Sequence, residues 1–273
     1  MTSKKNEKYL MYLNTVQGTA IKTLTEALKE VLTDINIHFN KDGMQIMNMD
    51  PGQVSFVSLK LYADKFEEFY CPSPLLVGVN MMALHKLLKT IGNNDTVSLC
   101  VTKKDPDKLG ISIQNKKKRI NNNIVYNLMD VDLVHIEIPE VDYDAQITMP
   151  CGDFQKYCRE LATISNFVTM TISSDKVFAL TVDGKFASQS LEIEESEDSN
   201  VVIEINENIS EEEEICEIGT FSLKFLNLFC KSSTLCNTIQ LYMKSEFPII
   251  IIYSVASLGT CKFCLCPQSE PDE

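Results

Sequence analysis

The sequence predicts an α+β fold built from two repeats, each with two amphipathic helices laid on antiparallel sheets. Three observations carry this. Apolar residues recur at three- and four-residue steps in four separate stretches, two in each half. Short runs with strand alternation, bounded by turn residues, fill the space between them. The cations also repeat: Lys22 and Lys156 lie 134 positions apart, and Lys86 and Lys224 lie 138 apart.

The first half reads as follows. Residues 1–8 are polar and are expected to fray. Residues 18–32 form a helix with Ile21, Leu24, Leu28, Val31 and Leu32 on one side. Ile35, Ile37 and Phe39 then alternate as a strand. Lys41-Asp42-Gly43 turns a hairpin whose glycine supplies positive φ. Met44 and Ile46 open the partner strand. Residues 54–62 and 71–79 are further strands, separated by the polar stretch 64–68. Asn80 is a good N-cap for a second helix, 81–91, with Leu84, Leu87, Leu88 and Ile91 inward. Gly92-Asn93-Asn94-Asp95 ends it, and strands at 97–101 and 109–113 follow.

The second half repeats the order. Phe154, Tyr157, Cys158 and Leu161 stripe a third helix. Residues 167–172 and 177–182 pair across a turn at 173–175. Thr220 is expected to cap a fourth helix carrying Phe221, Phe225, Leu226 and Phe229. Strands at 238–243, 248–253 and 261–265 close the chain.

A chain of 273 residues has room for two ordinary domains, and 44% apolar content supports packed cores. The domains are expected at 1–128 and 147–273, with a connecting linker at 129–146. Within the linker, residues 130–146 are acidic, extended by Pro139 and without helical period. They still carry Val, Ile and Tyr residues that a plain spacer does not need. No run of 18 apolar residues occurs, so no membrane span is expected. The N-terminus lacks an apolar core, so no secretory signal is expected either. Ten scattered cysteines, mostly inside apolar segments, read as reduced and buried, which suits an intracellular protein.

The formal charge is −13. Glu192, Glu194, Glu195, Glu197 and Asp198 form one acidic cluster; Glu204, Glu207, Glu211 to Glu214 and Glu217 form another. Such runs ordinarily make a solvated loop or strand face. They exclude a protein that coats nucleic acid with its whole surface, but not one with a local basic face. Lys22 and Lys29 are two helical turns apart, as are Lys224 and Lys231. Lys86 and Lys89, and Lys156 and Arg159, sit at three-residue spacing on one face each. One such pair is ordinarily a solvated helix face. Four pairs at matching repeat positions suit a phosphate backbone, which repeats without regard to sequence. No aromatic platform for base stacking accompanies them.

The strings VQGTAIKTLTEALKEV, MNMDPGQVSF, GVNMMALHKLLKTIG, NLMDVD, EIPEVDY, FLNLFCK and LCPQSEPDE resemble the proliferating cell nuclear antigen family, the eukaryotic-type sliding clamps of DNA replication. The resemblance runs from about Tyr9 to the C-terminus. It implies two repeated clamp domains closing as a homotrimeric, pseudo-six-fold ring, with helices inside and strands outside. Subunits would join through strands near residues 123–128 and 187–194. By resemblance the DNA-binding positions are Lys22, Lys29, Tyr70, Lys86, Lys89, Arg119, Lys156, Arg159, Lys224 and Lys231. The family's signature DNA-binding stretch falls on residues 70–89. Thr23 and Thr163 replace basic residues that the family can carry. Lys116-Lys117-Lys118-Arg119 also resembles a nuclear localisation signal; a solvated turn is the other reading.

The partner groove implied by the resemblance takes short hydrophobic motifs. It is expected at Met49, Gln53, Val54, Phe56, Ile136, Ile138, Pro139, Tyr143, Phe247, Pro248, Cys266 and Pro267. Phe56 is larger than the family's usual aliphatic residue, and Ser269 replaces an apolar one. The family's modifiable lysine aligns with Ser174, with Lys176 nearby. The implied partners are double-stranded DNA of any sequence, DNA polymerase, clamp loader, flap endonuclease, DNA ligase and further copies of the chain. The implied location is the nucleus, or a cytoplasmic replication factory for a viral member.

No enzyme chemistry is expected. His38, His85 and His135 sit in no nucleophile elbow, phosphate loop or metal-ligand spacing. Cys264 and Cys266 would face one side of a strand and Cys261 the other, which disfavours zinc. Asp130, Asp132, Asp142 and Asp144 read as a solvated linker rather than a nuclease site. No cofactor or metal is expected. The alternative to a ring is a clamp-like scaffold that binds partners without encircling DNA.

Overall fold

In each half a strand precedes the first amphipathic helix. In the computed structural model, which describes residues 7–132, 141–196, 198–206 and 215–268, β1 (Tyr9–Thr15) precedes α1 (Gly18–Leu28), and β10 (Ala145–Pro150) precedes α3 (Cys151–Leu161). Met11, Leu13 and Thr15 point inward along β1, as do Ala145, Ile147 and Met149 along β10; both are strand period. His135, Ile136, Ile138, Pro139, Glu197, Glu207, Glu211 to Glu214 and Ser269 lie outside the described residues.

After α1 come β2 (Asp34–Asn40), β3 (Gly43–Met49), β4 (Ser55–Tyr62), β5 (Glu68–Tyr70) and β6 (Leu75–Asn80), then α2 (Met81–Leu88) and β7 (Thr96–Thr102), β8 (Lys108–Asn115) and β9 (Ile120–Asn127). After α3 come β11 (Phe167–Ser173), β12 (Val177–Asp183), β13 (Ser188–Glu194), β14 (Val202–Ile205) and β15 (Ile215–Ser222), then α4 (Leu223–Phe229) and β16 (Thr238–Met243), β17 (Ile249–Val255) and β18 (Gly259–Leu265). Strand, helix, five strands, helix, three strands: among the described residues the order occurs twice.

The chain divides into two compact units. One comprises Met1–Pro51, Val57–Ile136 and Ser254–Cys261; the other comprises Gly52–Phe56, Glu137–Tyr253 and Lys262–Glu273. The pairing repeats with the order. In the first unit strands run β5-β1-β7-β8-β9 in one sheet and β4-β3-β2-β6 in another. In the second, β14-β10-β16-β17 repeats the first pattern and β13-β12-β11-β15 the second. The β7–β8–β9 and β11–β12–β13 ladders are antiparallel, so short turns suffice to join these neighbours. β9 and β13 each end their sheet.

The helices end earlier than the apolar period suggested. Past α1, Val31 N and Leu32 N both bond to Leu28 O, so a tightened turn still keeps Val31 and Leu32 inward. Past α2, Ile91 N bonds to Leu88 O in the same way. Asn80 caps α2 as expected, its Oδ1 accepting from Ala83 N at 2.9 Å. The expected strand at 71–79 is shorter: Pro72 and Pro74 keep residues 71–74 out of the ladder, and β5 and β6 flank them. The fourth helix begins after Ser222 rather than Thr220. Thr220 and Phe221 belong to β15, and the Thr220 hydroxyl meets that of Thr169 on β11 at 2.8 Å.

Apolar packing holds each unit. In the first, Ile21, Leu24 and Leu28 of α1 and Leu84 and Leu88 of α2 lie over Leu13, Ile37, Phe39, Val77 and Leu99, around an apolar cavity of about 30 Å³. In the second, the Phe229 and Phe263 rings stack at 4.7 Å, and Tyr253 meets Phe263 edge-on at 5.8 Å. Gly43 closes the β2–β3 hairpin with φ +143°, while Asn40 Oδ1 accepts from Asp42 N and Gly43 N at 2.8 and 3.1 Å.

Candidate nucleic-acid interface and partner groove

The cations sit where the apolar stripes leave the helices exposed. On α1, burial takes Ile21, Leu24, Thr25, Ala27 and Leu28, and leaves Lys22 and the following Lys29 half-buried. Lys22 Nζ donates to Ile91 O at 3.3 Å, and Lys29 pairs with Glu30 at 3.3 Å. On α2, Met81, Leu84, His85 and Leu88 are buried; Lys86 and, just past the helix end, Lys89 are exposed. Neither makes an ion pair among the described residues.

His85 reports how closely these cations gather. Burial holds its pKa below the ordinary value, and Lys29, Lys89 and Lys22 push it down further against a weaker pull up from Glu26. The Thr25 hydroxyl donates to Lys22 O at 2.9 Å, so its 3.5 Å contact with His85 asks the imidazole to carry its proton on Nδ1. A neutral His85 therefore sits among cations from both α1 and α2. Sequence spacing named His85 only as an unused base; the signal it lacked was burial between two helices.

The second unit repeats the arrangement. On α3, Phe154, Cys158 and Leu161 face inward, and Lys156 and Arg159 are exposed. Lys156 pairs with Glu160 one turn on at 3.9 Å. Lys224 is exposed on α4, its Nζ lying 6.0 Å from the Phe225 ring. Lys231 is exposed but lies past α4, on a 3₁₀ segment Cys230–Thr234, because the α-helix ends at Phe229. Two amides bind these elements together: Gln155 Nε2 donates to Cys230 O at 2.9 Å, and Asn227 Nδ2 to Cys158 O at 3.1 Å.

Two expected positions lie off the helices. Tyr70 is half-buried on β5, opposite Tyr12 of β1. Arg119 is exposed at the β8–β9 turn with φ +56°. That basic turn is fastened to the end of α2: Asp95 accepts from Gly92 N and Asn115 Nδ2 at 2.8 and 2.6 Å, and Asn115 Oδ1 accepts from Lys118 N at 2.9 Å. Thr23 is half-buried, and Thr163 and Ser174 are exposed; Lys176 pairs with Glu195 at 3.1 Å.

Of the groove positions, the second unit gathers most of those described. Cys266 N donates to Val54 O at 3.0 Å, which aligns Val54 with Cys266 and Pro267. Val54 and Phe247 are 38% and 40% exposed, large apolar surfaces facing solvent. Lys244 links Phe247 to the neighbourhood of Tyr143: its Nζ lies 5.2 Å from the Phe247 ring and donates to Asp142 O at 3.2 Å. Tyr143 meets Tyr242 edge-on at 5.3 Å beside an open concavity of about 370 Å³. Gln53 is exposed with φ +57°, Pro248 is half-buried, and Phe56 is only 6% exposed, its ring turned into the protein. Met49 is half-buried in the first unit.

Among the described residues the ten cysteines form no disulfide, and no three His, Cys, Asp or Glu side chains gather to hold a metal. No helix among them is long and apolar enough to cross a membrane.

Residues 10–136 match the family description "Proliferating cell nuclear antigen, N-terminal domain", and residues 137–268 match "Proliferating cell nuclear antigen, C-terminal domain". The chain is also 32% identical over 267 residues to the "Probable DNA polymerase sliding clamp 1" of Paramecium bursaria Chlorella virus 1, an alignment covering 96% of this chain and 98% of that protein. The chain belongs to the proliferating cell nuclear antigen family.

Proposed function

We propose that this chain is a DNA sliding clamp, a non-enzymatic scaffold that holds DNA polymerase on its template as a ring around the duplex. The observation that supports it most is the sorting of charge. Lys86, Lys89, Lys156, Arg159 and Lys224 stand exposed on helices, or in the case of Lys89 just past a helix end, of a chain whose formal charge is −13. Spread single cations give weak, sequence-independent contacts with phosphates, which let a protein slide. Retention then comes from topology, since a closed ring need not bind tightly to stay on.

In this reading three copies close head-to-tail, with β9 of one pairing with β13 of the next. β9 and β13, each at the end of its sheet, suit a heterologous contact whose rotation closes. The helices of both units face the duplex. The surface around Val54, Tyr143, Phe247 and Pro267 takes short hydrophobic motifs from polymerase, flap endonuclease and ligase, which Ile136, Ile138 and Pro139 of the linker help to bind. Tethering raises each enzyme's local concentration at the DNA end. A clamp loader opens the ring, and the work is done where DNA replicates, in a nucleus or a cytoplasmic viral factory.

Two measurements test this. Solution mass should be three times the 30.8 kDa of one chain. Protein loaded on nicked circular DNA should stay on through a high-salt wash and leave when the circle is cut. A monomer that binds partner peptide, or release that ignores cutting, would replace the ring with a scaffold that does not encircle DNA.

A further inference from the structure

The second unit holds a pair of thiols that neither DNA contact nor partner docking uses. Cys151 opens α3 and is 2% exposed; Cys236 is half-buried just beyond the 3₁₀ segment Cys230–Thr234. Their sulfur atoms are 3.8 Å apart. The backbone already holds the two segments together: Cys151 N donates to Asn237 O at 2.9 Å, and Pro150 stands opposite Thr238 in the β10–β16 ladder. A disulfide has its sulfurs about 2.05 Å apart, so closing this one asks about 1.8 Å of sulfur movement, within reach of side-chain rotation.

The protons are placed in order. The Cys236 thiol donates to Thr238 O at 3.2 Å, which leaves its sulfur to accept from the Cys151 thiol. That hydrogen bond and burial push the Cys151 pKa well up, so Cys151 is a poor first nucleophile. Cys236 is the one solvent reaches. A second pair, Cys158 and Cys230, is also hydrogen-bonded, but both are 1% exposed and closed to a dissolved oxidant.

We propose that Cys151 and Cys236 form an oxidation site that a peroxide closes to a disulfide. Cys236 loses its proton to water, and the thiolate attacks a peroxide oxygen, breaking the O–O bond to give a sulfenic acid and water or an alcohol. The Cys151 sulfur then attacks the sulfenic sulfur. The S–O bond breaks, and the hydroxide leaves as water with the Cys151 proton. Two thiols and one hydrogen peroxide become one disulfide and two waters. The bond staples the first turn of α3, the helix of Lys156 and Arg159, to the segment that carries Lys231. Because it spans 85 residues, it removes a large share of unfolded-state freedom.

The test uses the full chain, treated with hydrogen peroxide and then quenched. Titratable thiols in the unfolded product should fall from the ten of the sequence to eight. A non-reducing peptide map should join Cys151 to Cys236, and Tm should rise by about 5–10 °C and fall back on reduction. In Cys151→Ser, Cys236 should accumulate as a sulfenic acid that dimedone traps; in Cys236→Ser, no bond should reach Cys151. Cys151 still alkylatable in the oxidised, unfolded wild type, or Cys236 unlabelled by dimedone in Cys151→Ser, would overturn the proposal.

Discussion

Replacing Lys86 and Lys89 by Ala should weaken duplex binding by the same factor on every DNA sequence and flatten its dependence on salt. Both side chains are exposed, Lys86 on α2 and Lys89 just past its end, and neither makes an ion pair among the described residues, so their charge is available to phosphate. Each phosphate contact contributes about 0.9 to the slope of log K against log salt, so losing two should reduce the slope by about 1.8. Between 50 and 200 mM salt that is about a 12-fold smaller fall in affinity; losing one contact gives about 3.5-fold. Stability should hardly move, because substitutions at exposed positions usually stay within about 0.5 kcal/mol. The assay is fluorescence anisotropy of linear duplexes of differing sequence across a salt series, with Tm as the folding control. An unchanged slope, or a loss confined to particular sequences, would refute the reasoning that these cations read phosphate.

Val125, 66% exposed on the edge strand β9, should tolerate Lys as a fold but not as a joining strand; light scattering should show single-chain mass, and intact triple mass would take β9 out of the contact. Ile138→Asp should abolish calorimetric binding of a polymerase-tail peptide without changing oligomeric mass, and unchanged affinity would remove the linker from the groove. Gly43→Ala should destabilise by about 2–4 kcal/mol, read by urea melts: φ is +143° and the added carbon would collide with Leu61 O. His85 has its folded pKa held below the ordinary 6.5, so the unfolded chain binds more protons as pH falls through 6.5 and stability drops toward acid. His85→Gln should flatten part of that fall, with His38, also lowered by burial, keeping the rest.

The helices were legible because their apolar residues keep a 3.6 period, which burial bears out at Ile21, Leu24 and Leu28 on α1, while Leu87, Tyr157 and Phe225 are only half-buried. The opening strands were not. β10 carries the same alternation, with Ala145, Ile147 and Met149 buried, but it follows Asp142 and Asp144 and ends at Pro150, so its polar surroundings looked like linker. Thr220 resembled a cap because caps and strand ends use the same residue; what decides is Thr169 across the ladder, a partner 51 positions away. Sheet edges are equally long-range facts. That β9 and β13 end their sheets depends on every strand between, and neither run announces it. For the site, residue types and spacing placed the exposed cations, while exposure itself separated Val54 and Phe247 from the buried Phe56.

The ion pairs on the basic helices bear on how firmly a ring would hold DNA. Lys29 spends part of its charge on Glu30 and Lys156 on Glu160, at 3.3 and 3.9 Å. The Lys156–Glu160 pair is exposed, and such pairs add little to folding, typically about 0–1 kcal/mol. Their larger effect is on the field a duplex would feel, because a nearby carboxylate and salt both screen the cation. Lys86 and Lys89 stand unscreened by comparison, so phosphate attraction should be uneven from helix to helix. A protein that must slide needs enough positive charge to centre the duplex and too little to pin it. A mixture of paired and unpaired cations meets both demands, and an overall charge of −13 discourages nucleic acid from settling elsewhere on the surface.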